Sequence, residues 1–255
     1  MKLRFRGKTS SEERQSATYE ATVYDAIRPG YYDHVFERGR GVQWFWHYHR
    51  YAAVAADLPQ NSHSILDLGC GPGTFLGRYT EGFDRAVGVD LAQAQIDYAK
   101  EKYRSERLYF TAADAIEFTR KEKFDVIVSI EVIEHLPAIR TQAFLKRIYE
   151  LLKPGGTVIL ATPNYVSLWP VIEWCVSKVG HVDYLQQHIN HFTVPRLEQE
   201  LTRAGFIIQN RRTIFLISPF LACCSSRIAK LVYHLEQRFF PWRGSEIVLS
   251  ARRPV

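Results

Sequence analysis

From residue 64 to residue 161, short apolar runs alternate with longer stretches of helical periodicity, and this rhythm predicts the core of the fold. Ile65–Leu68 leads into glycines and a helical stretch from Thr74 to Tyr79, and Ala86–Val89 ends at Asp90 ahead of a helix over Gln93–Lys102. Leu108–Thr111 follows with a short helix near Ile116–Thr119, then Phe124–Ile130 and a helix across Ile139–Leu152. Lys153-Pro154-Gly155-Gly156 turns the chain into Thr157–Ala161. Buried strands that alternate with helices predict parallel βαβ units, hence an α/β fold with a doubly wound sheet and helices on both faces. Ligands in such sheets sit beyond the carboxyl ends of the strands, near the switch in strand order.

The flanks read differently. Residues 1–11 look like a tail, and Glu12–Leu58 is helical, interrupted at Arg28-Pro29-Gly30. This defines an N-terminal helical cap over 1–58 ahead of a main domain over 59–255. Trp44, Phe45, Trp46, Tyr48 and Tyr51 either face a ligand or pack the cap on the domain. After Asn164 the rhythm changes, and 165–192 reads as an inserted helical cap. A helix at Pro195–Ala204 and a strand at Phe206–Arg212 resume the domain. Residues 214–240 are apolar and helix-like, and Ile247–Ala251 is expected as a final edge strand.

Composition narrows the function classes. A chain of 255 residues, 46% hydrophobic and 24% charged, buries a full α/β core. The formal charge of +6 is scattered rather than drawn into a stripe, so no nucleic-acid partner is expected. Cys70, Cys175, Cys223 and Cys224 show neither zinc spacing nor a disulfide framework. The first residues lack the apolar core of a signal peptide, and no apolar run reaches the ~18 residues of a spanning helix. The expected localisation is cytoplasmic, with membrane association left open.

Ile65-Leu66-Asp67-Leu68-Gly69-Cys70-Gly71-Pro72-Gly73-Thr74 carries the most chemistry. A strand delivers the chain to glycines that permit a tight turn, and the next helix opens with unpaired N–H groups. Such a loop holds a phosphate or a carboxylate equally well. The surrounding acids discriminate. Asp90 ends the second strand, where a carboxylate accepts from both hydroxyls of a ribose. Asp114 ends the third, where an acceptor could meet an adenine amino group, and Asp67 precedes the glycines, where it could help orient the cationic amino-acid end of a cofactor.

With these residues, ILDLGCGPGTF, AVGVD, AADA, FDVIVSIEVIEHL and LLKPGGTVILATPN, the chain resembles the class I S-adenosylmethionine-dependent methyltransferases, closely over 60–165 and loosely to about 212. The resemblance implies a Rossmann-like seven-stranded sheet with its last strand antiparallel. It implies S-adenosylmethionine contacts from Asp67, Gly69, Cys70, Gly71, Gly73, Asp90, Leu91, Asp114, Ala115, Ile130 and Glu131. Glu131-Val132-Ile133-Glu134-His135 is similar to the EVxEH stretch of ubiquinone-biosynthesis O-methyltransferases, which implies Glu131, Glu134 and His135 as ligands of a magnesium or zinc ion. Glu131 and Glu134 would then share one face of a helical turn. His135 is alternatively a general base, its imidazole ordinarily titrating near ~6.5. His188 and His191, in Tyr184-x-x-x-His188-x-Asn190-His191-Phe192, are acceptor contacts or a second base by the same resemblance, or else structural histidines.

The activity implied by the resemblance is methyl transfer, to oxygen in preference to nitrogen or carbon, on a small-molecule or lipid-linked acceptor. Segments 165–179 and 214–235, with Trp169, Trp174, Phe215, Phe220, Leu221, Leu231 and Tyr233, suit a membrane surface, a lipid tail, the core or a homodimer interface. Two competitors stay open: an NAD-type oxidoreductase, opposed by Pro72 within GxGxG, and a cofactor-binding regulator or membrane adaptor.

Overall fold

The computed structural model describes residues 28–179 and 187–255. The expected tail, the start of the N-terminal helical stretch and Tyr184 lie outside the described residues.

Seven strands form one sheet in the order β3-β2-β1-β4-β5-β7-β6. They are β1 (Ser64–Leu68), β2 (Arg85–Asp90), β3 (Leu108–Ala112), β4 (Phe124–Ile130), β5 (Leu152–Pro163), β6 (Ile207–Ile214) and β7 (Glu246–Arg252). β1 to β5 pair in parallel, whereas β7 runs antiparallel to both β5 and β6. This is the Rossmann-like seven-stranded fold that the apolar rhythm and the resemblance imply. Its order reverses between β1 and β4, which places the ligand crevice at their carboxyl ends.

Alternation along the strands builds two cores. Ile65, Val126, Val128 and Ile159 point to one side, where α2 (Val42–Ala56), α3 (Thr74–Tyr79), α4 (Gln93–Lys102) and α9 (Ser226–Phe239) lie. Leu66, Leu68, Ile127 and Leu160 point to the other, against Phe144, Leu145 and Ile148 of α5 (Ala138–Leu151) and Leu197 and Leu201 of α7 (Val194–Arg203). Asp67 occupies a core-facing position on the first side.

The structure corrects three details. The last strand is internal rather than at an edge. Glu246-Ile247-Val248-Leu249-Ser250-Ala251 is buried throughout and sits between two partners, while β6, with Gln209, Asn210 and Arg211 exposed, takes the edge. The helix expected near Ile116–Thr119 is a turn, its Ile116 N–H taken by Asp114 Oδ1 at 2.7 Å. The N-terminal helical stretch is broken again after α1 (Tyr31–Arg38), where Gly39 caps it in the left-handed conformation.

The cap after β5 contains α6 (Trp169–Val179), and the apolar stretch after β6 contains α8 (Ser218–Leu221) and α9. Among the described residues, no helix is long and apolar enough to cross a membrane.

Candidate active site

The turn after β1 is shaped by contact on both sides. Gly69 has φ of 85°, and a Cβ there would come within 2.1 Å of Val132 Cγ2. Gly69 and Cys70 N–H both donate to Val89 O, at 2.7 and 3.0 Å, tucking the loop beside β2. Asp90 then clamps it. Its Oδ2 accepts from Gly71 N at 2.8 Å and its Oδ1 from Ala92 N at 2.9 Å. Each oxygen keeps a second lone pair for a ligand hydroxyl.

Asp67 is 2% exposed, and its Oδ1 has no hydrogen-bond partner among the described residues. Burial, and then the nearby Asp90, push its carboxyl well above the usual range. A bound cationic group would satisfy it. Asp114 Oδ2 is held by Arg140 at 2.8 Å. All the residues expected at the cofactor line one cavity of about 300 Å³ except Gly73, which instead seats α3 closely against Phe110.

The opposite wall comes from the N-terminal helices. Gln43, Trp46, His47 and Arg50 all face the cavity from α2, joined by Tyr31 and Tyr32 of α1. They fall at i, i+3, i+4 and i+7, a polar and aromatic stripe whose helical spacing is present in the sequence. Of those aromatics, Trp46 and Tyr51 reach the cavity, whereas Phe45 is wholly buried in the core.

Arg50 is the residue that sequence reasoning missed most completely. Its guanidinium, 5% exposed, lies 3.0 Å from Glu131 Oε2 and 2.6 Å from Glu246 Oε1. Trp46 Nε1 donates to the other oxygen of Glu246 at 3.2 Å. Burial pushes the carboxyls of Glu131 and Glu246 up, opposed by Arg50, which is itself held protonated by both. Glu131 stands at φ 58°, a left-handed conformation uncommon for a glutamate, fixed by its N–H on Ala161 O at 2.9 Å.

This overturns the expected ligand trio. Glu131 and Glu134 do not share a helical face, because the chain leaves β4 through Glu131 and only then forms a 3₁₀ turn at Ile133–His135. Glu131 faces a guanidinium, and Glu134 is fully buried behind the cavity, its Oε2 accepting from Thr162 Oγ1 at 2.9 Å. The residues present do not fit a metal held by Glu131, Glu134 and His135 together.

The histidines separate. His135 and His188 line the cavity with ring centroids 4.8 Å apart, and Trp169 stacks on His188 at 5.9 Å. His135 Nδ1 donates to Gln187 O at 3.1 Å, and burial, then His188, push its imidazole down to about 3. It is therefore neutral at physiological pH, unlike the easily charged histidine its residue type suggests. His191 is exposed, stacks on Tyr165 at 3.9 Å and does not line the cavity. The apolar segments divide in the same manner. Trp169 and Phe220 reach the cavity and Phe215 is core, while Trp174 and Leu231 are exposed.

An α/β sheet with a glycine-floored, acid-flanked crevice at its switch point defines a protein that binds a nucleoside cofactor. A family model described as a methyltransferase domain matches residues 41–210, and the chain belongs to that family. It is 35% identical over 111 residues to the ubiquinone biosynthesis O-methyltransferase of Bartonella tribocorum, covering 42% of this chain and 44% of that protein. It is 32% identical over 154 residues to the protein so named from Rhodopseudomonas palustris strain TIE-1, covering 56% and 58%. The chain thus matches about half the length of these curated relatives. A crystal structure of an S-adenosylmethionine-dependent methyltransferase from Mesorhizobium loti shares the fold, with a TM-score of 0.59, 21% identity and coverage of 79% and 96%.

Two outcomes follow from this geometry. Replacing Arg50 by alanine leaves two buried carboxyls without their cation, and we expect a loss of about 3–5 kcal/mol in urea unfolding; a loss below 1 kcal/mol, on the order of an exposed pair, would contradict the arrangement. For Asp67, a raised apo pKa means that a cationic ligand expels a proton. The affinity for S-adenosylhomocysteine should therefore strengthen with rising pH, by up to about tenfold per unit, and level off above the apo pKa. Calorimetry in buffers of different ionisation enthalpy reads the proton directly, and Asp67→Asn should abolish its release.

Proposed function

We propose that this chain is an S-adenosylmethionine-dependent methyltransferase that methylates a hydroxyl of a small, apolar, aromatic or lipid-linked acceptor. The observation that carries the reading is a single cavity joining two chemistries. One end has the glycine turn, Asp90 and the unsatisfied Asp67. The other has Tyr31, Tyr32, Trp46, Trp169 and Phe220 around His135 and His188. Membership of the methyltransferase family supports methyl transfer over the oxidoreductase alternative. The O-methyltransferase activity for which the relatives are named supports oxygen as the methylated atom.

S-adenosylmethionine, when bound, supplies a methyl already activated on a sulfonium. The chain has to hold it and an acceptor in line and exclude water, which can be worth on the order of 7–11 kcal/mol. In this reading Asp67 holds the ammonium of the amino-acid end and Asp90 the ribose hydroxyls. Asp114, with Ala115, meets the adenine, and Leu91 and Ile130 close over its faces. Trp46 and Trp169, with ring centroids 5.6 Å apart, form the apolar wall against which an aromatic acceptor lies. His135 and His188 orient its hydroxyl. Asp90→Ala should weaken S-adenosylhomocysteine binding at least tenfold in calorimetry, since it removes a ligand acceptor and the clamp on Gly71 together. Incubation with methyl-labelled cofactor and fractionated lipid and metabolite extracts should label an apolar fraction. Absence of nucleoside binding at millimolar concentration would refute the reading.

An exposed helix face supports a second element of this function, an anionic lipid surface as the place of work. On α9, Ile228, Leu231, Leu235 and Phe239 are 55%, 62%, 45% and 63% exposed, and Phe240 and Trp242 continue the stripe. Arg227, Lys230, Arg238 and Arg243 are exposed alongside. Apolar side chains flanked by cations match an interface of acyl chains beneath anionic headgroups. The protein should float with anionic vesicles and much less with neutral ones, and Leu231→Glu should reduce flotation without altering cofactor affinity. Equal behaviour on both vesicles, or a homodimer burying α9, would remove this element.

A further inference from the structure

Cations gather at the edge of the sheet opposite the cofactor crevice. There the loop before β4, the last turn of α5 and the chain after β7 enclose a second, open cleft of about 400 Å³. Arg120, Lys123, Arg147 and Arg253 line it, and Glu150 is the one carboxylate beside them among the described residues. Strand β4 separates it from the crevice, with Lys123 just before its first residue and Glu131 just after its last. Seven residues at ~3.3 Å each span roughly 20 Å, so the cleft is no part of the cofactor site. Two of the guanidiniums are fixed by main-chain carbonyls. Arg253 Nη1 donates to Tyr149 O at 2.9 Å and to Leu152 O at 2.6 Å, with Cζ 4.5 Å over the Tyr149 ring. Arg147 Nε donates to Ile116 O at 2.7 Å, and its Nη1 meets Glu150 Oε2 at 2.9 Å. In both, Nη2 has no partner among the described residues. Arg120 is held through Nε alone, 3.2 Å from Glu122, a carboxylate 58% exposed that Arg85 also approaches at 3.5 Å. Lys123 Nζ has no ion-pair or hydrogen-bond partner among the described residues.

Satisfying carbonyls accounts for Arg147 and Arg253, which hold the end of α5 and the turn after Asp114. It does not account for Arg120 and Lys123, which add like charge to the same cleft. Neighbouring cations repel, and an anion seated between them turns that repulsion into attraction. Guanidiniums already tethered by carbonyls lose little freedom on binding, and their planar forks match the oxygens of a phosphate. Four cations against one acid leave three positive charges. A carboxylate would neutralise one of these, whereas a phosphate ester carries up to two negative charges and a pyrophosphate more. We propose that this cleft binds a soluble phosphate ester or pyrophosphate group, which Arg147 and Arg253 hold and Arg120 and Lys123 enclose. The inference stands apart from the methyltransferase reading, because no residue of the cleft belongs to the cofactor cavity.

The test titrates the whole chain with inorganic pyrophosphate, against sodium chloride of equal ionic strength. Pyrophosphate should raise Tm with its concentration and bind saturably in calorimetry, and chloride should do neither. Arg120→Gln combined with Lys123→Gln should weaken pyrophosphate at least about tenfold, through the loss of charge-assisted hydrogen bonds. Arg40→Gln combined with Lys178→Gln removes the same charge at exposed positions elsewhere and should leave the affinity unchanged. Affinity for S-adenosylhomocysteine, measured on every variant, reports an intact fold and separates failure of the cleft from failure of the cofactor crevice. Vesicles containing phosphatidic acid distinguish a lipid headgroup from a free phosphate. Vesicle binding lost in the Arg120→Gln, Lys123→Gln variant, with no response to free pyrophosphate in the wild-type chain, would assign the cleft to a lipid and overturn the proposal. So would a pyrophosphate effect no larger than that of chloride, or one that this variant retains or that Arg40→Gln with Lys178→Gln abolishes equally.

Discussion

Arg50 enters the interior from α2 and meets carboxylates from two different strand ends, Glu131 after β4 and Glu246 at the start of β7. Taking three ionisable groups out of water is costly, and a single guanidinium repays it only when its planar fork reaches both acids. The requirement fixes where α2 must lie over the sheet. Glu131, held left-handed by its bond to Ala161, reaches that cation, and the chain then runs into the 3₁₀ turn that carries Glu134 and His135. The far wall of the cavity therefore depends on one buried cation, and the N-terminal helices become part of the site rather than a lid beside it.

The near wall depends on a different economy. Gly69 clears Val132, the two N–H groups after β1 bond Val89, and Asp90 holds Gly71, so the floor is made of backbone pinned from β2. Such a floor admits a ligand close to the main chain. Asp67 Oδ1 is left there without a hydrogen-bond partner among the described residues. The two ends of the cavity thus differ in kind: one is rigid backbone with acids, the other aromatic side chains with histidines. The proposed transfer from a charged nucleoside to a flat apolar molecule rests on this difference.

How much of this was legible in the chain follows from the range of the interactions. β1, β2, β4 and the helices between them were readable because their signals are local: apolar runs of strand length, helical periodicity, and glycines where the backbone must turn. The cofactor acids were readable because each sits at the end of its own strand, next to the signal that places it. Gln43, Trp46, His47 and Arg50 also carried a local signal, a helical stripe, but its meaning depended on what lay opposite. The sequence pattern does not tell that β7 is internal, because a short apolar strand reads alike whether one neighbour covers it or two.

The amino-acid order by itself determined the class of the sheet, the glycine turn and the acids around it, since these follow from backbone geometry and periodicity within a few residues. Tertiary structure decided which partner each buried charge takes. Glu131 looked like a neighbour of Glu134, yet it faces Arg50, 81 positions earlier, and Glu134 faces His188, 54 positions later. Electrostatic pairing acts through space and carries no periodicity along the chain, so only the packed sheet and its covering helices could settle it.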